Sequence, residues 1–180
     1  MRWLVGFVAV LTCVTTLWAV SESVLRESPR ESGIDRTIAE LYAVISGPAG
    51  ARRDWDRMRG LFLPDARMMS VRPVPEGKSV VRRAMTVDQY IEGGQRWFAN
   101  NGFFEREVSR EVRRYGDIAD VFSTYECFRA ADETEPFLRG INSIQFVFDG
   151  ERWRVLSLVW QAESEKLPIP ERYLRASDGK

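Results

Sequence analysis

Four long extended runs in the second half of the chain constrain its fold more than any other feature. Short polar segments separate them, and the last of these, Asp149-Gly150, is a strong signal for a tight β-hairpin turn. Each run is about twice the usual strand length, and antiparallel strands of that length twist and bend. The sequence therefore predicts a strongly curved antiparallel sheet with one hollow side, built from Phe103–Tyr115, Ile118–Arg129, Phe137–Phe148 and Arg152–Gln161.

The first half of the chain supplies the elements that fill the hollow side. A first helix, N-capped by Ser32, is predicted from an apolar stripe of helical spacing: Ile34, Ile38, Leu41, Tyr42 and Ile45. A short second helix, two short strands and a third helix follow, and Thr86 with Gln89 forms a capping box at the start of the third. The predicted class is α+β, with about six strands wrapped around three helices in the order α-α-β-β-α-β-β-β-β.

The N-terminus predicts export. Met1-Arg2 is followed by the uncharged apolar run Trp3–Val20, so residues 1–21 are either a cleaved signal peptide or a retained membrane anchor. In both cases the folded part is expected in the periplasm or outside the cell. The remaining boundaries are predicted as a linker at 22–32, one domain at 33–164 and a C-terminal tail at 165–180.

The composition narrows the classes of function. Acidic and basic residues balance at 26 each, so no global field favours nucleic acid as a partner. The chain contains no histidine, which removes the usual general base and the usual metal ligand. Its two cysteines, Cys13 and Cys127, do not form a disulfide framework, and Cys127 is predicted to be a buried strand residue. We therefore predict no metal site and no cofactor.

Side-chain alternation predicts which residues of the first long strand face the hollow. Its even positions Phe104, Val108 and Val112 are apolar, whereas its odd positions are polar. The same parity turns Arg106 and Arg110 inward. Their guanidinium groups would either reach water at the rim or clamp an anion at the mouth of a pocket.

The last long strand is apolar on both predicted faces. Trp153, Val155 and Val159 alternate with an equally apolar set, Leu156, Leu158 and Trp160. The outer set needs cover, which either the C-terminal tail or a second copy of the chain could supply. A homodimer through the outer face of the sheet is therefore predicted.

Two stretches and the element order resemble the nuclear transport factor 2-like superfamily, a cone-shaped fold that includes ketosteroid isomerases and SnoaL-like polyketide cyclases. RDWDRMRGLFLPDARM joins the second helix to the first strand, and FDGERWRVLSLVW makes the final hairpin. The resemblance covers about Ile34 to Gln161. It implies a deep pocket between the curved sheet and the helices.

The resemblance also carries expectations about chemistry. Ketosteroid isomerases use a carboxylate base with a tyrosine and a protonated acid as hydrogen-bond donors. Tyr42 on the first helix matches the tyrosine, but the position of the base falls near Ser70, which cannot take that role. Scytalone dehydratase, another member of this superfamily, relies on histidine, which this chain lacks.

The function expected from the sequence is the binding of a small, largely apolar molecule in the pocket. One alternative is a cofactor-free isomerase, lyase or cyclase that uses Tyr42 and a buried carboxylate. Another is a purely structural dimerisation module. The predicted ligand-binding residues are Tyr42, Trp55, Trp97, Arg106, Tyr125, Asn142 and Trp160, and no catalytic residue is assigned.

Overall fold

A computed structural model describes residues 29–73, 79–81 and 84–175 of the chain. The predicted order of elements is confirmed, with a short 3-10 helix added in the tail. The predicted leader at 1–21, and the linker up to residue 28, lie outside these residues. No helix of the described ranges is long and apolar enough to cross a membrane. The elements are α1 (Pro29–Ile45), α2 (Trp55–Leu61), β1 (Phe62–Pro73), β2 (Ser79–Val81), α3 (Val87–Phe98), β3 (Phe104–Tyr115), β4 (Ile118–Phe128), β5 (Leu138–Phe148), β6 (Trp153–Ala162) and the 3-10 helix Glu171–Tyr173.

The helix starts follow local capping chemistry. The predicted box opens α3: Gln89 N donates to Thr86 Oγ1 at 3.2 Å, and Thr86 N donates to Gln89 Oε1 at 3.0 Å. By contrast, α1 begins at Pro29, three residues before the predicted cap Ser32. Proline is favoured in the first turn because its missing N–H would have no partner there, so the helix takes up the end of the predicted linker.

Six strands form one sheet in the order β2-β1-β6-β5-β4-β3. The predicted hairpins β3–β4, β4–β5 and β5–β6 are antiparallel, and β1–β2 is antiparallel as well. The expectation of an entirely antiparallel sheet is wrong at one place, because β1 pairs with β6 in parallel. These two strands are far apart in sequence, so no hairpin turn dictates their relative direction.

β-Bulges bend this sheet. The register shifts between Glu107 and Ser109 on β3, between Gln145 and Phe146 on β5, and near the start of β1. An extra residue in one strand of a pair increases the local twist and bends that strand. The helices cover the resulting inner face, where α1 lies against β3 and β6, and α3 lies against β1. The core at this face includes Ile38, Met58, Ile144, Phe146, Trp153 and Val155, each at most 1% exposed.

The bulge opposite β5 changes the interpretation of β6. Ser157 pairs with Gln145, but Val155 pairs with Phe146, so Leu156 is an extra residue on β6. The prediction that β6 is apolar on two opposite faces is therefore wrong. A single inner face carries most of its large apolar residues: Trp153, Val155, Leu158 and Trp160.

The C-terminal tail lies across the outer face of the sheet. The hydroxyls of Ser109 and Thr124 both donate to the backbone carbonyl of Tyr173. The Tyr173 ring packs on Phe122 with centroids 5.6 Å apart, and Ile169 is 9% exposed. The tail thus covers part of the outer face of the sheet, which was one of the two predicted possibilities. The homodimer remains a prediction, but it is no longer supported by a strand β6 with two apolar faces.

Candidate functional site

A cavity of about 920 Å³ lies between the inner face of the sheet and the three helices. Pockets for small molecules are of this order, about 300–1,000 Å³, and are mostly apolar with a few polar groups. Apolar side chains form much of its wall, among them Leu41, Ile45, Met58, Met68, Phe98 and Leu158. The polar side chains therefore decide what chemistry is available inside.

Five of the seven predicted ligand-binding residues line this cavity: Tyr42, Trp97, Tyr125, Asn142 and Trp160. Trp97 lies at the mouth, since it is 40% exposed. Trp55 is not part of the wall. Its ring stacks on Phe98 with centroids 6.0 Å apart, so it supports the wall from behind.

Arg106 lies on the opposite face of β3, and its predicted orientation is wrong. Its guanidinium carbon is 4.0 Å from the centre of the Phe128 ring. Its terminal nitrogens donate to the carbonyl oxygens of Ala131 at 2.5 Å and Glu133 at 3.1 Å. Arg106 therefore holds the β4–β5 connection and does not clamp an anion in the cavity.

The β3 bulge causes this reversal. Val108 is the extra residue, because Glu107 pairs with Tyr125 whereas Ser109 pairs with Thr124. Beyond the bulge the even positions face the helices as predicted, and Arg110 forms an ion pair with Asp35 of α1 at 2.5 Å. Before the bulge the odd positions take that place.

Glu105 is the residue that the sequence pattern missed. It pairs with Cys127 on the inner face and lines the cavity. Its Oε1 accepts a hydrogen bond from Asn142 Nδ2 at 3.2 Å, and no cation of the described residues contacts it. Burial raises the pKa of the Glu105 carboxyl to about 7, although the hydrogen bond from Asn142 acts in the opposite direction. The cavity thus holds a carboxyl group that changes charge near neutral pH.

A chain of hydrogen bonds leads from the cavity to the helix α1. Asn142 Nδ2 also donates to Tyr42 Oη at 3.0 Å, and Tyr42 Oη lies 2.7 Å from Ser123 Oγ. Ser123 donates to Glu107 Oε1 at 2.5 Å, and Glu107 is paired with Arg110.

The direction of these bonds is set at the Glu107 end. An ionised carboxylate only accepts, so the Ser123 proton goes to Glu107 and the Ser123 oxygen accepts from Tyr42. The Tyr42 proton is therefore used within the protein. Tyr42 fixes the Asn142 amide and is not free to donate to a molecule in the cavity.

Tyr42→Phe is expected to lower the free energy of unfolding by about 1–3 kcal/mol, because buried Ser123 and Asn142 each lose a partner. Urea denaturation measures the change. Tyr115→Phe is the matched control, since Tyr115 is 84% exposed, and it should stay within about 0.5 kcal/mol. A Tyr42→Phe variant as stable as this control would contradict the hydrogen-bond chain.

Comparison with known proteins identifies the architecture. No protein-family model and no curated protein matches the sequence. Among solved structures, an NTF2-like protein of unknown function from Pseudomonas putida KT2440 superposes with a TM-score of 0.55 at 14% identity, over 78% of this chain and 93% of that one. An NTF2-like protein from Cytophaga hutchinsonii gives 0.52 at 14% identity, over 72% and 95%. The domain has the NTF2-like fold.

A third similar structure is described as cystatin-like. This protein of unknown function from Nostoc punctiforme superposes with a TM-score of 0.56 at 9% identity, over 74% of this chain and 90% of that one. At such identities the likeness establishes the fold alone. The chemistry of the domain has to be argued from its own side chains.

The carboxylate of the cavity comes from a different strand than the resemblance implies. Ser70, the β1 residue nearest the base position implied by the resemblance, is 7% exposed and lines the cavity. It has no ionisable group. The acid of the cavity is instead Glu105 on β3, across the sheet from β1.

Two further tyrosines bring hydroxyl groups to the cavity. Tyr90 of α3 meets Trp160 edge-on with centroids 6.2 Å apart, and Tyr125 of β4 fills the space left by Gly140, where a Cβ would be 2.4 Å from Tyr125 Oη. Neither hydroxyl bonds to another described residue. Burial, and then the charge of Glu105, raise the pKa of both tyrosines, so they stay protonated and able to donate.

The described residues contain no cluster of three or more histidine, cysteine or carboxylate side chains that could hold a metal ion. Cys127 lies in the cavity wall and is 1% exposed, as expected for a small buried strand residue. Burial, with a smaller effect from Glu105, raises the pKa of its thiol. The thiol is therefore protonated near neutral pH and is not an activated nucleophile.

Proposed function

We propose that this domain binds a small, largely apolar molecule in the cavity between the sheet and the helices. The observation that carries the proposal is an open volume of about 920 Å³ whose apolar wall surrounds a polar cluster at Glu105. Tyr90 and Tyr125 present hydroxyls that bond to no other described residue. A ligand with an apolar body and one polar group would satisfy both parts of such a wall.

A purely structural role fits these features less well. A module that only dimerises would fill its interior with side chains, because empty apolar volume costs stability. It would also gain nothing from a carboxyl group in that interior, since burying a charge is unfavourable. Both features are explained when a ligand occupies the cavity.

A second candidate is a cofactor-free enzyme that transfers protons. Glu105 favours it, because a carboxyl with a pKa of about 7 can act as a general base or acid near neutral pH. Tyr42 would not be the hydrogen-bond donor to the substrate, since its proton goes to Ser123. The free hydroxyls of Tyr90 and Tyr125 would take that role.

Native mass spectrometry of the protein purified from its own host tests the binding proposal. We expect a retained small molecule that is absent from Ser70→Trp, since Ser70 points into the cavity and an indole there would occupy it. The neutral dye N-phenyl-1-naphthylamine provides a second measurement. Its fluorescence should rise when it binds the wild-type protein. Its dissociation constant should be at least about tenfold higher for Ser70→Trp.

Met69→Trp is the matched control, because Met69 pairs with Val159 and faces the other side of the same strand. This variant should retain both the small molecule and the dye. A wild-type protein that carries no molecule and does not bind the dye would overturn the proposal. A molecule recovered chemically altered after incubation would favour the enzyme over the binding protein.

A further inference from the structure

Glu105 is a carboxylate without a cationic partner among the described residues. Its hydrogen bond comes from the uncharged Asn142 amide, and the only cation of the cavity wall in the described ranges, Arg72, has an exposed side chain. Burial and the Asn142 hydrogen bond account for the pKa of Glu105, with no contribution from Arg72. An ionised carboxylate in an apolar wall is costly unless a cation compensates it.

Three tyrosine side chains share the cavity wall with this carboxylate. Tyr42, Tyr90 and Tyr125 all line the cavity, and the charge of Glu105 adds to burial in raising the pKa of each. Two of these tyrosines are placed beside Glu105 by geometry: Asn142 Nδ2 donates to both Tyr42 Oη and Glu105 Oε1, and Tyr125 lies two residues before Cys127, the β4 partner of Glu105. Trp160 packs against Tyr90 and continues the aromatic wall. The faces of such rings attract cations, most strongly where water is excluded.

We propose that the ligand of this cavity is a hydrophobic ammonium ion. Its cationic head would lie between Glu105 and the rings of Tyr90 and Tyr125, and its apolar body would lie on the aliphatic and methionine side chains. The inference rests on the proposed binding function and names its ligand class. A neutral ligand would leave the Glu105 charge uncompensated, whereas an ammonium ion supplies the missing positive charge.

The groups that face Glu105 determine how binding depends on pH. Apart from the exposed Arg72 of β1, the packed elements contribute uncharged groups, because burial raises the pKa of the tyrosines and of the Cys127 thiol, and Asn142 does not titrate. Glu107, the other carboxylate on this side of β3, is paired with Arg110. Glu105 is thus the group that changes charge near pH 7. The side chains that share the cavity wall with Glu105 are Tyr42 from α1, Tyr90 from α3, Tyr125 and Cys127 from β4, Asn142 from β5, and Arg72 at the mouth from β1.

Two probes of the same shape test the proposal with the full chain. 4-(Trimethylammonio)benzyl alcohol carries a permanent positive charge, and 4-tert-butylbenzyl alcohol replaces the nitrogen by carbon. Isothermal titration should show the cation binding at least about tenfold more tightly than the neutral probe at pH 8.5. The affinity for the cation should fall about tenfold or more at pH 5.5, as Glu105 takes up a proton, while the neutral probe changes little.

Glu105→Gln should bring the affinity for the cation close to that for the neutral probe and remove its pH dependence. Glu111→Gln, an exposed change on the same strand, should keep the preference for the cation. Equal affinities of the wild-type protein for the two probes would overturn the proposal, and so would a preference that survives in Glu105→Gln. If N-phenyl-1-naphthylamine binds but neither probe does, the ammonium proposal fails and the binding function stands. If the dye does not bind either, both fail.

Discussion

Replacing Glu105 by glutamine should raise the free energy of unfolding at pH 8 by about 3 kcal/mol and leave it nearly unchanged at pH 4. The folded-state pKa of this carboxyl is about 7, above its usual 4.5, because burial disfavours the charged form. The wild-type protein therefore loses stability as the pH rises from about 4.5 to 7. Glutamine carries no charge, so the variant avoids this loss.

Urea denaturation at several pH values without added ligand measures this difference. The gain should appear between about pH 4.5 and 7 and stay constant above that range. Glu111→Gln is the control, since Glu111 is exposed on the same strand. A gain that does not depend on pH, or a Glu105→Gln variant less stable at pH 8, would contradict the assignment of an uncompensated carboxylate. A residue that destabilises the unliganded protein is expected to contribute to ligand binding.

Arg53→Met should lower the free energy of unfolding by about 3–5 kcal/mol. Arg53 is 4% exposed and its guanidinium donates to four backbone carbonyls in and after the last turn of α1. Methionine has a similar length but no donor, so these carbonyls would lose a charged partner. The four acceptors are Gly47 O at 2.6 Å, Ala51 O at 2.7 Å, Pro48 O at 2.9 Å and Ile45 O at 3.3 Å.

Thermal and urea denaturation check this prediction, with Arg52→Met as the matched control. Arg52 is the exposed neighbour and its change should stay within about 0.5 kcal/mol. Arg53→Lys should recover less than half of the loss, because a single ammonium group cannot reach donors in so many directions. Equal stabilities of Arg53→Met and Arg52→Met would rule out this role. The Arg53 guanidinium also lies 4.6 Å from the centre of the Phe98 ring, so its loss should loosen the cavity wall as well.

Much of the architecture could be predicted from local signals. The hairpin turn at Asp149-Gly150, the capping box at Thr86 and the apolar stripe of α1 act over a few residues, and the structure has all three. They were sufficient for the order of the elements and for a sheet with a hollow side, whereas the deep pocket was implied by the family resemblance. Five of the seven predicted residues line that cavity. Tyr42, Trp97, Tyr125 and Asn142 lie where the helical or strand period is unbroken, whereas Trp160 follows the bulge at Leu156.

On β3 the alternation of inward and outward residues is broken, and local signals do not predict the break. The turn at Gly116-Asp117 pairs Tyr115 with Ile118, and an unbroken ladder from there would align Glu105 with Phe128 on the outer face. The bulge at Val108 moves Glu105 opposite Cys127 and turns Arg106 outward. Strand β4 alternates regularly and places Ser123 and Tyr125 inside. Its inward face is the sequence signal that could have indicated a carboxylate of β3 on the same side.

The sequence by itself determined the α+β class, the order of the elements and the presence of a hollow side, because turns, caps and periodicity are encoded by neighbouring residues. The tertiary structure decided which side chains fill that hollow. The parallel pairing of β1 with β6 joins strands that are far apart in the sequence, and the bulges at Val108 and Leu156 shift the register within long strands. A one-residue shift reverses every side chain beyond it, and such a shift placed Glu105 among the rings of the cavity.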